Sequence, residues 1–127
     1  MTPDLICQTL ASVRAPLSDE KATQAALEKA LLAAFGDDSV IREARLSPGN
    51  VPDFMVAPGI RLAMRPGWAV EVKIKGADKR SIYRQLERYA EEPAVVGVIL
   101  ASGVSMGLPA LIGGKPAYQV NLARGWM

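Results

Sequence analysis

Residues 94–102, AVVGVILAS, carry no charge and only one polar side chain, Ser102. A strand of that composition is apolar on both faces, so it must be covered from above and below. Just before it, DKRSIYRQLERYAEE (78–92) reads as a helix, with Asp78 at the N-cap and Pro93 as terminator. Before that helix, WAVEVKI (68–74) reads as a strand of period two. A buried strand, a helix and a half-apolar strand in succession confine the chain to an α/β arrangement.

The remaining segments extend that pattern. Thr2-Pro3 resembles an N-cap followed by proline in the first turn, and Leu5, Ile6, Thr9, Leu10 and Val13 predict a short amphipathic helix that ends by Pro16. Ser18 is placed to cap a second helix, with Asp19 and Glu20 in its first turn. That helix runs through KATQAALEKALLAAF to Gly36, burying Leu27, Leu31, Ala34 and Phe35. Strands are predicted at 39–46 and 51–57, separated by the turn residues SPGN (47–50). PGIRLAMRPG, before the third strand, reads as a long hairpin arm or an extra short strand. GGKP (113–116) reads as a turn leading into a last strand at 117–123. The order is helix, three strands, helix, strand, strand: an α/β domain with a mixed central sheet flanked by helices, spanning residues 1–127.

Composition removes several kinds of chemistry. Of 127 residues half are hydrophobic, enough for a core, and the formal net charge is only +2. There is no histidine and one cysteine, Cys7, so histidine-dependent triads, cysteine zinc sites and intramolecular disulfides are excluded. Any metal would be held by oxygen, which points to Mg²⁺, Mn²⁺ or Ca²⁺. From Ala94 to Gly114 no residue is charged, but the glycines and Pro109 within it favour a buried strand and loop over a membrane span. The N-terminus has no basic region followed by an apolar run. The expectation is a soluble cytoplasmic protein.

AVEVKIKG (69–76) carries the most chemistry. Alternation sends Val70, Val72 and Ile74 to one face and Glu71, Lys73 and Lys75 to the other. Asp53 lies 18 positions before Glu71, on the preceding predicted strand, so the two carboxylates can share a face. Close carboxylates repel unless one is protonated or a cation lies between them. A lysine on the same face can meet a water or a phosphate oxygen, and metal, carboxylates and lysine together are what phosphodiester hydrolysis requires. An isolated E-x-K arises by chance roughly once per 250 residues, so the tripeptide alone is equally an edge strand with a solvated charged side. Downstream, Gln85 and Tyr89 lie i, i+4 on one helical face. Ile82, Leu86, Tyr89 and Ala90 also make an apolar face, so Tyr89 reads equally as core and Gln85 as boundary surface. Arg80, Arg84 and Arg88 recur every fourth residue, with Lys73, Lys75 and Lys79 nearby. That stripe suits phosphate contacts or a solvated helix face.

Taken together, Pro52-Asp53, Glu71-x-Lys73 and Gln85-Leu86-Glu87-Arg88-Tyr89 resemble the motifs of the PD-(D/E)XK nuclease superfamily, the last being similar to the Q-h-x-x-Y helix of its RecB-type branch (h hydrophobic). The resemblance covers about residues 18–102 and implies a restriction-endonuclease-like core. It further implies a Mg²⁺- or Mn²⁺-dependent deoxyribonuclease, with Asp53, Glu71 and the Val72 carbonyl at the metal and Lys73 positioning the attacking water. Gln85 would support the site or the DNA backbone. Members of the family often add an acid from the first helix of the core. Glu28 is the candidate, or an ordinary flanking surface residue, with Glu43 as an alternative. RecB-type members usually carry an upstream histidine, which this chain lacks, so a resolvase-like or phage-type minimal nuclease fits equally. Lys75, Lys79, Arg80, Arg84, Arg88 and Tyr89 would contact nucleic acid. A domain this short implies specificity from homodimerisation, with the C-terminal RGWM a candidate contact, from a protein partner, or from nucleic-acid structure such as branches and ends. Two other functions share this fold: a non-catalytic nucleic-acid- or protein-binding module, and an RNA-cleaving toxin-like domain.

Overall fold

The computed structural model describes residues 1–63, 65–75, 78–103 and 106–124. Met64 in PGIRLAMRPG and Gly125–Met127 of the RGWM tail lie outside them. Among the described residues there are three α-helices, α1 (Pro3–Ser12), α2 (Glu20–Phe35) and α3 (Lys79–Ala90), and a 3-10 turn at Asp37–Ser39. Each starts on a side-chain cap. Thr2 accepts from Leu5 N at 3.3 Å, Asp19 from Ala22 N at 3.1 Å, and Asp78 from Arg80 N at 3.2 Å. The cap of α2 is therefore Asp19, one residue later than Ser18; its carboxylate both accepts the free N–H and complements the helix dipole.

The described residues also form eight strands: β1 (Arg14–Ala15), β2 (Val40–Arg42), β3 (Phe54–Val56), β4 (Gly67–Lys73), β5 (Val95–Ser102), β6 (Leu111–Ile112), β7 (Lys115–Asn121) and β8 (Ala123–Arg124). Six of them form a mixed sheet in the order β2-β3-β4-β5-β7-β6. The β2-β3-β4 part is antiparallel, while β4, β5 and β7 run parallel. The short β1 and β8 pair in parallel apart from it.

Strands β2 and β3 are shorter than alternation predicts. Glu43 adopts φ 51° and turns the chain out of β2, and Pro52 and Asp53 precede the start of β3. Residues 58–63 of PGIRLAMRPG form a turn rather than a strand, held by Ile60 N to Ala57 O at 3.2 Å and Leu62 N to Gly59 O at 2.9 Å, and its last residue, Gly67, opens β4. Lys115 and Pro116, expected in a turn, open β7, because Gly113 and Gly114 make the β6–β7 hairpin by themselves with φ 58° and 78°.

Helices α1 and α2 cover one face of the sheet, where Ile6, Leu10, Leu27 and Leu31 pack with Val70, Val72, Ile99 and Val120. Two expected members of these stripes are in fact exposed, Leu5 and Ala34; Thr23 is buried in their place, its hydroxyl donating to Pro16 O at 3.1 Å and Asp19 O at 2.9 Å. Helix α3 covers the other face through Ile82, Leu86, Tyr89 and Ala90, against Val98, Leu100 and Ile112. Strand β5 lies between both layers, as its composition requires, with Val96 as its exposed exception. Among the described residues no helix is long and apolar enough to cross a membrane.

Candidate active site

The two sides of β4 differ in chemistry because they meet different layers. Val70, Val72 and Ile74 enter the α1–α2 core. Glu71 and Lys73 turn to the α3 side, where Glu71 is 4% exposed. The β3–β4 ladder ends at Phe54↔Val70. Beyond it the edge of β4 toward β3 has no strand partner among the described residues, and the Asp53 side chain takes the backbone's place: Asp53 Oδ2 accepts from Val72 N at 2.8 Å. Because a strand residue's N–H and C=O point to the same side, the Val72 carbonyl also faces Asp53.

Around this point the polar groups are closely interlinked. Glu71 Oε1 accepts from Asp53 N at 3.3 Å and from the Tyr89 hydroxyl at 3.0 Å. Glu71 Oε2 lies 3.3 Å from Lys73 Nζ. Gln85 Nε2 donates to the Tyr89 oxygen at 2.9 Å, and Val51 O, 3.2 Å away, is an alternative acceptor for the hydroxyl proton. Tyr89 is thus both core and site: its ring is packed under α3 at 1% exposure while its hydroxyl reaches a carboxylate. The i, i+4 spacing of Gln85 and Tyr89 makes this pair on one helical face.

Burial and mutual repulsion set the electrostatics. Desolvation, and then the charge of Asp53, push the Glu71 carboxyl up to about 7, against the pull of Lys73 and Tyr89. Burial also raises Asp53, opposed by the Val72 N–H and by Lys73. Tyr89 is driven well above the usual phenol range by burial and by the neighbouring Glu71. A buried pair of carboxylates, each made harder to ionise, is common at functional sites.

Helix α2 contributes a residue that the motif reading passed over. Gln24 Nε2 donates to Asp53 Oδ1 at 3.3 Å, and its Oε1 accepts from Arg42 at 3.4 Å. Arg42 in turn pairs with Glu28 at 3.0 Å. Glu28 is therefore engaged by a guanidinium and connects to Asp53 through Arg42 and Gln24. Glu20, one turn before Gln24, adds its negative charge to the field at Asp53. Glu20, Gln24 and Glu28 repeat every four residues, a signal that was visible along α2 without its partner across the fold. Glu43 is exposed, and its backbone N–H donates to Asp53 O at 2.8 Å. Among the described residues no cluster of three or more acidic, histidine or cysteine side chains forms a metal cage. The donor set at β4 is two carboxylates and the Val72 carbonyl. That set suits an ion that keeps most of its waters, as Mg²⁺ does.

The cationic residues face outward. Lys75, Lys79, Arg80, Arg84 and Arg88 are exposed, and none is in an ion pair among the described residues. At about 100° per residue Arg88 is about 60° around α3 from Gln85, Arg84 about 100° and Arg80 about 140°, so the row turns from the edge of the site toward solvent. The loop carrying Asp53 is tied to the far end of α3: Glu92 accepts from the Ser47 hydroxyl and from Asn50 Nδ2, the latter at 3.0 Å. Comparison of the chain with protein-family models, with curated proteins and with solved structures gave no match.

Proposed function

We propose that this chain is a divalent-metal-dependent nuclease of the PD-(D/E)XK kind, acting on DNA. The observation that carries the reading is the convergence of Asp53, Glu71 and Lys73 just before β3 begins, beside the part of β4 that β3 does not pair. Asp53, Glu71 and the Val72 carbonyl would hold Mg²⁺ or Mn²⁺, and the bound ion supplies Lewis-acid polarisation of the phosphate and a more acidic water. Lys73 projects beside Glu71 and orients the attacking water or meets the developing charge. Tyr89, steadied by Gln85, aims Glu71, and Gln24 holds Asp53 from the other side. The five exposed cations on and before α3 receive the phosphate backbone. The succession α2, β2, β3, β4, α3, β5 supports a restriction-endonuclease-like core.

The test is cleavage of duplex, single-stranded and branched DNA and of RNA, with Mg²⁺, Mn²⁺, Ca²⁺ or EDTA. Products with Mg²⁺ or Mn²⁺ and none in EDTA are expected, with Ca²⁺ supporting binding but little turnover. Activity undiminished in EDTA, or in Asp53→Asn, refutes the reading. Preference for RNA over every DNA substrate would transfer it to a ribonuclease.

A further inference from the structure

The α3 side of the sheet is not fully covered by α3. Ile41, Met55 and Ala69 form one row across β2, β3 and β4 by register. Beyond Met55 that row is roofed by loops, the segment after β2 and the turn around Ile60, instead of a helix. Between them is a cleft of about 480 Å³, with Ile41, Ala44, Met55 and Ile60 on its inner surface and Arg45 and Arg65 at its mouth. Its volume is in the range of small-molecule sites. Met55 is 2% exposed and Ile60 9%, so most of each side chain is covered by protein, and what they turn to the cleft is apolar surface on which water finds few partners. Both arginines are exposed, and among the described residues neither is in an ion pair.

We infer that this cleft binds a small anionic amphiphile, an alkyl chain bearing a carboxylate. The chain enters the apolar interior and the carboxylate is received by Arg45 and Arg65. Two guanidiniums at the mouth of an apolar cleft, neither paired with a carboxylate among the described residues, specify both ends of such a ligand. An apolar body is needed to displace nothing but poorly bonded water, and a planar two-oxygen anion matches the arginine fork. A broad protein surface does not reach the buried inner end. None of Asp53, Glu71 and Lys73 lines the cleft, although it neighbours their site: its Met55 is two residues, roughly 7 Å of extended chain, from Asp53. The inference therefore stands whether or not the protein cuts DNA.

Decanoate, decanol and acetate titrated into the intact protein, followed by methyl NMR of isoleucine and methionine, test it. Decanoate should shift the methyls of Ile41, Met55 and Ile60 with a Kd on the order of 0.1 mM, and acetate should leave them in place. The double variant Arg45→Ala/Arg65→Ala, altered only at exposed positions, should bind decanoate about tenfold more weakly and decanol unchanged. Ala44→Trp, which fills the cleft, should abolish both while the backbone amide spectrum stays folded. No saturable shift by roughly 5 mM decanoate, far above the expected Kd, overturns the inference. So does equal affinity for decanoate and decanol, or full retention of decanoate affinity in the double variant.

Discussion

Replacing Glu71 with glutamine should make the protein more stable, by an amount that depends on pH. Its carboxyl is raised from the ordinary 4.5 to about 7 in the folded chain. The folded state therefore binds that proton more tightly than the unfolded chain does. Stability that is fully present below pH 4.5 is lost as pH rises through 7. At about 1.4 kcal/mol per pH unit, the full loss is about 3 kcal/mol, with the attraction of Lys73 already included. Glutamine has nearly the shape of the protonated acid, and its oxygen can still accept from Tyr89 and from Asp53 N. It carries no charge to bury, and it relieves the repulsion that raises its partner Asp53. Glu71→Gln should thus match the wild type near pH 4.5 and exceed it by about 3 kcal/mol at pH 8, roughly 10 °C in Tm for a chain of this size. Urea unfolding in EDTA at intervals from pH 4.5 to 9 measures the difference directly. Adding Mg²⁺ should narrow the gap, since an ion bound only by the native wild type stabilises it by mass action. A variant less stable than wild type at pH 8, or a gap that stays flat across the range, would refute the claim that a buried, repelled carboxylate sits at this position.

Other perturbations separate the roles of neighbouring residues. Lys73→Ala should lower turnover on DNA by about 10²-fold or more, while Lys75→Ala, at an exposed position, should mainly weaken binding and flatten its salt dependence; equal losses of turnover at saturating DNA would show that the two lysines are not distinguished. In EDTA, Asp53→Asn and Glu71→Gln should bind DNA as tightly as wild type or tighter, because each removes a negative charge from where phosphate must lie; gel shifts showing markedly weaker binding by folded variants would count against that placement. Tyr89→Phe deletes the hydroxyl that serves Glu71 and Gln85 and should cost about 1–2 kcal/mol in denaturant unfolding. Gly97→Ala should cost about 1–3 kcal/mol, since a Cβ there would run into the Trp68 ring and stand 2.7 Å from the Pro116 carbonyl oxygen; an unchanged midpoint would mean that Trp68 can move aside freely.

The sequence by itself determined what repeats over a few residues. Alternation along β4 placed Val70, Val72 and Ile74 in the core and Glu71 with Lys73 on the opposite face, because a strand side chain's direction depends only on its parity. Helix α3 was legible from Asp78 to the last turn, and helical spacing alone put Gln85 and Tyr89 on one face; that the two hydrogen-bond was for the structure to show. The continuous apolar run of β5 required layers on both faces, and both are present. Only the tertiary structure decided how far β2 and β3 extend, since that depends on Glu43 leaving the strand and on the Asp53 carboxylate replacing a ladder bond to Val72. It also decided that Gln24 meets Asp53 and that Arg42 engages Glu28, contacts made across 29 and 14 residues of chain. No local period encodes such pairs. They exist because packing α2 against the sheet brings Gln24 to Asp53, while Glu71 is covered on the α3 side under Tyr89; the shifted acidities of both carboxyls arise from burial that only the assembled layers create.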